Sequence, residues 1–116
     1  MLLAGCAAEQ RTSGEDALAR ELAGRVAGEP QRCVPTTSGS GGLQAIDGNT
    51  LVYRQGNRVW VNRVQGCSNL DRDSILIVET FGSQYCRNDR VRELERGSTI
   101  PGAVCILQNF VPYTRS

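Results

Sequence analysis

The chain has no histidine and no lysine; all 13 of its basic residues are arginine. Histidine is the side chain that titrates unaided near neutrality, and lysine is the residue that burial tunes into a base. Arginine stays protonated at any working pH. The bases that acid–base and nucleophilic catalysis use most often are therefore missing, and so are the histidine corners of a zinc site. An excess of either charge is missing too. The net charge is +1 with a pI near 7.6, which leaves no field to hold nucleic acid or an acidic polymer. No run of about 20 apolar residues exists to supply a membrane-spanning helix. Aromatics are few (Tyr53, Trp60, Phe81, Tyr85, Phe110 and Tyr113), and with 13 glycines they point to a small, turn-rich core. A length of 116 residues gives one domain plus a tail.

What the chain does have is cysteine. Cys6 ends the stretch Leu3-Ala4-Gly5-Cys6, which resembles the lipobox of bacterial lipoproteins. There, signal peptidase cuts before a cysteine whose thiol is thioether-linked to diacylglycerol. An apolar approach and small residues before the cut are needed, and Leu2 to Gly5 supply them. A signal peptide also needs a basic start and an apolar core of about 7–15 residues, whereas only five residues precede Cys6. A start assigned too late, or a trimmed chain, accounts for the difference; the alternative is a cytosolic chain with an accidental Leu-Ala-Gly-Cys. The expected anchor is a set of acyl chains on Cys6. Ala7 and Ala8 lack the aspartate that resembles an inner-membrane retention signal, which favours the periplasmic face of the outer membrane over the inner membrane.

The other four cysteines, Cys33, Cys67, Cys86 and Cys105, are an even set, as expected of two disulfides in a small exported domain. Each bridge adds about 2–4 kcal/mol. Metal binding needs close pairs such as Cys-x-x-Cys; here the spacings are 34, 19 and 19, so no metal site and no cofactor is expected.

Ser13-Gly14-Glu15-Asp16 has the spacing of a capped helix start. Leu18, Leu22 and Val26 follow at i, i+4 and i+8, which predicts a helix over about 14–27 stopped by Gly28 and Pro30. Such a helix docks on the domain or frays as a tether. Residues 36–42 read as a flexible loop by composition, without the ending of a phosphate-binding loop. Six strands are expected after it: 43–46, 50–55, 58–64, 74–81, 91–95 and 104–111. Gly56-Asn57 is the two-residue turn of a hairpin, and Ile75-Leu76-Ile77-Val78 reads as a central strand, apolar on both faces. The fold class is thus mainly β: a small antiparallel meander or partly closed barrel of about six short strands, preceded by one N-terminal helix. Three segments are expected, namely 1–6 as a signal-peptide remnant with lipobox, 7–30 as tether and short helix, and 31–116 as a disulfide-stapled β domain.

Strand direction alternates in a meander. Cys33 and Cys86 then fall at one end and Cys67 and Cys105 at the other. Bridged α-carbons must approach within about 4.4–6.8 Å, so Cys33–Cys86 and Cys67–Cys105 are the expected pairs.

Cys33, Asp47-Gly48-Asn49, the hairpin 51–64, Gly66-Cys67-Ser68-Asn69-Leu70, Tyr85-Cys86, Val104-Cys105-Ile106 and Phe110-Val111-Pro112-Tyr113 together resemble a family of small envelope lipoproteins of sphingomonad-type bacteria, classed as a domain of unknown function. The likeness covers about residues 29–114. It implies a compact, cysteine-bearing β domain and brings no activity or binding residue with it.

Candidate chemistry is thin. Asp71-Arg72-Asp73 begins like a calcium loop but lacks its glycine and distal glutamate, so a solvated turn is expected. Ser68, Ser74, Ser83 and Ser98 have no histidine to activate them, and none sits in Gly-x-Ser-x-Gly. In Arg58-Val59-Trp60-Val61-Asn62-Arg63-Val64 two faces alternate. Either Trp60 belongs to the core, or it looks outward beside Arg58 and Arg63 as a candidate partner-binding surface. The expected function is a non-enzymatic, lipid-anchored periplasmic scaffold or binding module. Its partners would be the membrane, through the acyl chains, and a protein or other envelope component, with no nucleic acid. The rival is a small thiol-dependent redox protein or enzyme of the envelope, which needs an unpaired cysteine.

Overall fold

A computed structural model describes residues 16–37, 40–67, 70–80, 82–94 and 101–115. It is mainly β and antiparallel, with a helix α1 (residues 16–22) ahead of the strands. Ten strands lie among the described residues: β1 Arg25–Ala27, β2 Cys33–Pro35, β3 Ser40–Asp47, β4 Thr50–Gln55, β5 Arg58–Arg63, β6 Ile75–Glu79, β7 Gln84–Cys86, β8 Arg90–Leu94, β9 Pro101–Ile106 and β10 Val111–Arg115. They form an open five-stranded sheet in the order β1-β10-β5-β4-β3, a ribbon β2-β7 and a three-stranded sheet β6-β8-β9. The expected class, a small, mainly β antiparallel fold behind one N-terminal helix, holds; the strands described number ten in three sheets where about six were expected.

The hairpin β4–β5 is local in origin. Gly56 takes φ +58° in the turn, and Gln55 stands opposite Arg58. From that register Tyr53 faces Trp60 and Val52 faces Val61 across the strands. The two faces of the large sheet bury different cores. On one, Leu51, Tyr53, Trp60 and Val64 meet Val34 of β2, Val91 of β8, Cys105 of β9 and Phe110. On the other, Val52, Val59 and Val61 meet Leu18 and Leu22 of α1. The order is helix, large sheet, then the two small sheets.

Three expectations about element limits change. The helix ends at residue 22, not 27, because Gly24 adopts φ +75°, the left-handed conformation that closes a helix, ahead of Gly28 and Pro30. Val26 thereby moves to β1, where it is 57% exposed instead of continuing the helical stripe. β1 pairs with β10, so residues expected in the tether are part of the large sheet. The loop expected over 36–42 is shorter. β3 starts at Ser40 and carries a register shift before Leu43, where Gly42 takes φ +66°. The single strand expected over 104–111 is two, β9 and β10, which join different sheets.

The apolar run 75–78 is not central. β6 is an edge strand whose Leu76 and Val78 face the core while Ile75 and Ile77 are 43% and 46% exposed. The middle of that sheet is β8, with Val91 fully buried.

Candidate functional site

Two cysteine bridges are formed, and Cys33 of one of them borders the candidate site. Cys33 and Cys86 stand directly opposite each other on the ribbon β2-β7 and are bonded. Cys67, after β5, is bonded to the fully buried Cys105 of β9. These are the pairs favoured by parity, but the reason for the first is more local: Cys33 and Cys86 are cross-strand neighbours in one ribbon. With both bridges formed, none of these four cysteines offers a thiolate. Cys6 lies outside the described residues, as do Ser13, Ser68, Asn69, Phe81, Glu95 and Ser98.

Alternation along β5 decides the other three named residues. Arg58, Trp60 and Asn62 point to the face that carries the small sheets, and Val59, Val61 and Arg63 point to the helix face. Arg63 thus stands apart from Arg58 and Trp60. It donates to the Thr50 hydroxyl (3.2 Å) and borders a separate cleft with Gln65, Arg87 and Tyr113. Trp60 is 5% exposed and packed in the core, so the outward-looking alternative does not hold for most of its surface. Its indole N–H donates to Gln55 Oε1 at 3.0 Å, which satisfies the one polar atom of the ring. The Arg58 guanidinium lies 5.4 Å from the ring centroid, within cation–π range.

Beside this pair runs an open groove of about 520 Å³, bordered by Trp60, Arg58, Gln55, Pro35, Pro112 and Glu29. Pro112 is opposite Trp60 and Thr114 opposite Arg58 in the β10–β5 register, so β10 builds one wall. The ribbon supplies another through Pro35, whose carbonyl accepts from the Tyr53 hydroxyl (2.6 Å). Tyr53 in turn stands edge-on to Tyr85 at 5.5 Å, and burial raises the Tyr85 phenol above its ordinary pKa. Asn62, fully buried one step along the same face, clamps Gln108: its amide donates to the Gln108 carbonyl (2.7 Å) and its oxygen accepts from the Gln108 N–H (2.8 Å). These two bonds tie β5 to Gln108, which lines the separate cleft beside Arg63 and not the Trp60 groove.

The groove offers an aromatic edge, proline rings, two side-chain amides and one charge of each sign, which suits non-covalent contact with an extended segment. Among the described residues no group of three or more His, Cys, Asp or Glu is placed to hold a metal ion. Asp71 is engaged in its own turn, accepting from the Asp73 N–H (2.8 Å). Sequence reasoning found Trp60 and Arg58 but missed Gln55, Pro35 and Pro112. Gln55 was within reach, because the Gly56-Asn57 turn already fixes it opposite Arg58. The two prolines were not, since β10–β5 and β2–β7 are long-range pairings. No family model, curated protein or solved structure matches the chain.

Proposed function

We propose that this chain is a non-enzymatic, lipid-anchored module of the bacterial envelope, held by acyl chains on Cys6 at the periplasmic face of the outer membrane, and that it binds a partner in the Trp60–Arg58 groove. The lipobox-like Leu3-Ala4-Gly5-Cys6 supports the anchor, and the even set of bonded cysteines supports an oxidising compartment. The resemblance of residues 29–114 to small envelope lipoproteins points the same way. The absence of histidine and lysine from the sequence weighs against general-base chemistry. The observation that carries the binding half is the Arg58 guanidinium stacked over a Trp60 ring that is already fixed by Gln55. A preset aromatic–arginine pair costs little ordering entropy on contact, and Trp and Arg are the residues most often found at interface hot spots.

Expression in a Gram-negative host behind a complete lipoprotein signal peptide tests the anchor. The membrane fraction should yield an intact mass raised by three acyl chains and glycerol at Cys6 and lowered by four hydrogens for two disulfides. Recovery of unacylated chain in the soluble fraction would refute it. The thiol-dependent rival predicts a free thiol after lipidation under denaturing, non-reducing conditions; the anchored module predicts none. A photo-crosslinking residue at position 58 should form a defined adduct in the envelope that the same residue at position 90 does not. Equal adducts at both positions would remove the groove from the proposal.

A further inference from the structure

On the helix face of the large sheet, away from the groove, arginines from four separate elements meet. Arg20 comes from α1, Arg25 from β1, Arg72 from the turn before β6 and Arg115 from β10, and together with Ala17 and Glu21 they line a cleft of about 320 Å³. Arg25 and Arg115 are direct cross-strand partners. Like charges in that position are destabilising. A fold free to choose would separate them or place an acid between them.

One acid is present, and its charge is already engaged. Glu21 takes a two-point contact from Arg54, with Nη2 to Oε1 at 2.7 Å and Nε to Oε2 at 3.1 Å. Its carboxyl is held below the ordinary value chiefly by the hydrogen bond from Arg54, with Arg25 and Arg72 adding to the same effect. Glu21 thus serves Arg54 and leaves the cleft positive. Arg25 is fixed from behind: its Nε donates to the Glu21 carbonyl (3.2 Å) and its Nη1 to the Asn57 carbonyl. The Arg115 side chain folds toward the same place, with Nη1 3.8 Å from where a side chain on Gly24 would begin. Among the described residues, no ion pair or side-chain hydrogen bond occupies Arg20, Arg72 or Arg115. The cleft therefore presents, among the described residues, one positioned guanidinium and three with unused donors.

We propose that the Arg20–Arg25–Arg72–Arg115 cleft is an anion site for a phosphate-type group, either a phospholipid headgroup or a soluble phosphate. Guanidinium forks match the oxygens of phosphate in two-point geometry, and several forks converging on one cleft select for a multiply charged oxyanion. The position suits a headgroup, because α1 contributes Arg20 and the ten positions from Cys6 to Asp16 span at most about 35 Å. Soluble phosphate reports on the site without any anchor, so the cleft and the anchored-module reading stand or fall separately.

The unacylated chain of residues 1–116 is titrated with pyrophosphate by calorimetry at low ionic strength, where screening is weak. It is also sedimented with vesicles of phosphatidylglycerol or of phosphatidylcholine. The paired variant Arg72→Gln/Arg115→Gln removes two of the cleft's guanidiniums. Arg32→Gln/Arg90→Gln removes the same charge from exposed positions elsewhere, and Arg20→Gln alone is a milder second probe. Melting temperature confirms that each variant is folded. Loss of pyrophosphate affinity by tenfold or more in the cleft pair, with less than twofold in the control pair, supports the site with phosphate itself as sufficient. The same contrast seen only with phosphatidylglycerol vesicles supports it with the headgroup as the source. Equal loss in the cleft and control pairs, or no binding by the parent chain in either assay, overturns it.

Discussion

The large sheet and the three-stranded sheet are built from similar residues and treat them in opposite ways. In the hairpin β4–β5 both faces are covered, one by the small sheets and one by α1, so Leu51, Val52, Val59, Trp60 and Val61 are all buried. In β6-β8-β9 only one face is covered, so Leu76 and Val78 reach the core while Ile75 and Ile77 remain in solvent. The run Ile75-Leu76-Ile77-Val78 is the more apolar stretch on paper, yet it forms an edge. Apolar character does not place a strand at the centre of a sheet; layers on both of its sides do.

The sharpest test of that contrast is Trp60→Ala. Removing a packed indole from the inner face should cost about 3–5 kcal/mol in urea unfolding. A loss below about 1 kcal/mol would mean that the inner face is not a closed layer there. Asn62→Ala comes next. It leaves the Gln108 N–H and carbonyl, now satisfied by the fully buried Asn62 amide at 2.8 and 2.7 Å, without their side-chain partner in a partly buried place. An expected cost of about 1–3 kcal/mol follows from the desolvated groups left behind, and Asn62→Asp should recover only the bond from the Gln108 N–H. Equal stability of Asn62→Ala and the parent chain would show that water reaches the Gln108 backbone beside the second cleft.

The same contrast explains what could be read in advance. The hairpin was legible because its signal is local: Gly56-Asn57 fixes the turn, and the turn fixes the register. The helix was legible through Ser13-x-x-Asp16 and the Leu18–Leu22 spacing, but its end was not, because Gly24 and not Gly28 takes the left-handed conformation. Dividing the strands among three sheets depends on β10 joining β5 and β2 joining β7, pairings of residues about fifty apart or more. The strand over 91–95 was legible, but its place was not: alternation with Arg90 and Arg92 gives no sign that Val91 is the buried centre of its sheet. The cysteine pairs were legible despite the wrong strand tally, since opposite ends of a small domain exclude the other partners. The groove was half legible, through β5 alone. The arginine cleft was not legible at all, as its four members come from four elements with no common spacing.

On the outer face of the large sheet, the Glu21–Arg54 pair is the charged counterpart of the Leu18 contact. Hydrogen bonding by Arg54 lowers the folded-state pKa of Glu21 below that of the unfolded chain. The pair's contribution is therefore present above the unfolded value and is lost as pH falls through the folded one. Glu21→Gln should be less stable than the parent chain at pH 7 by about 1 kcal/mol or less, as befits a partly exposed pair. The gap should close on acidification through the carboxylate range, and a gap independent of pH would show that Glu21 acts by packing alone.

The smallest effect belongs to the uncovered face. Ile77 is 46% exposed and stands opposite Arg92, which is drawn to Glu79 by an Nε–Oε1 contact of 2.9 Å. Ile77→Thr keeps the β-branched shape that an edge strand favours and removes apolar surface that is already half in water. Its expected change in unfolding free energy is within about 0.5 kcal/mol. A neutral result beside a costly Trp60→Ala confirms that one sheet is covered twice and the other once. A loss of more than about 2 kcal/mol would require a layer over Ile75 and Ile77 in solution, and concentration-dependent stability of the parent chain, absent in Ile77→Thr, would identify that layer as a second copy of the chain.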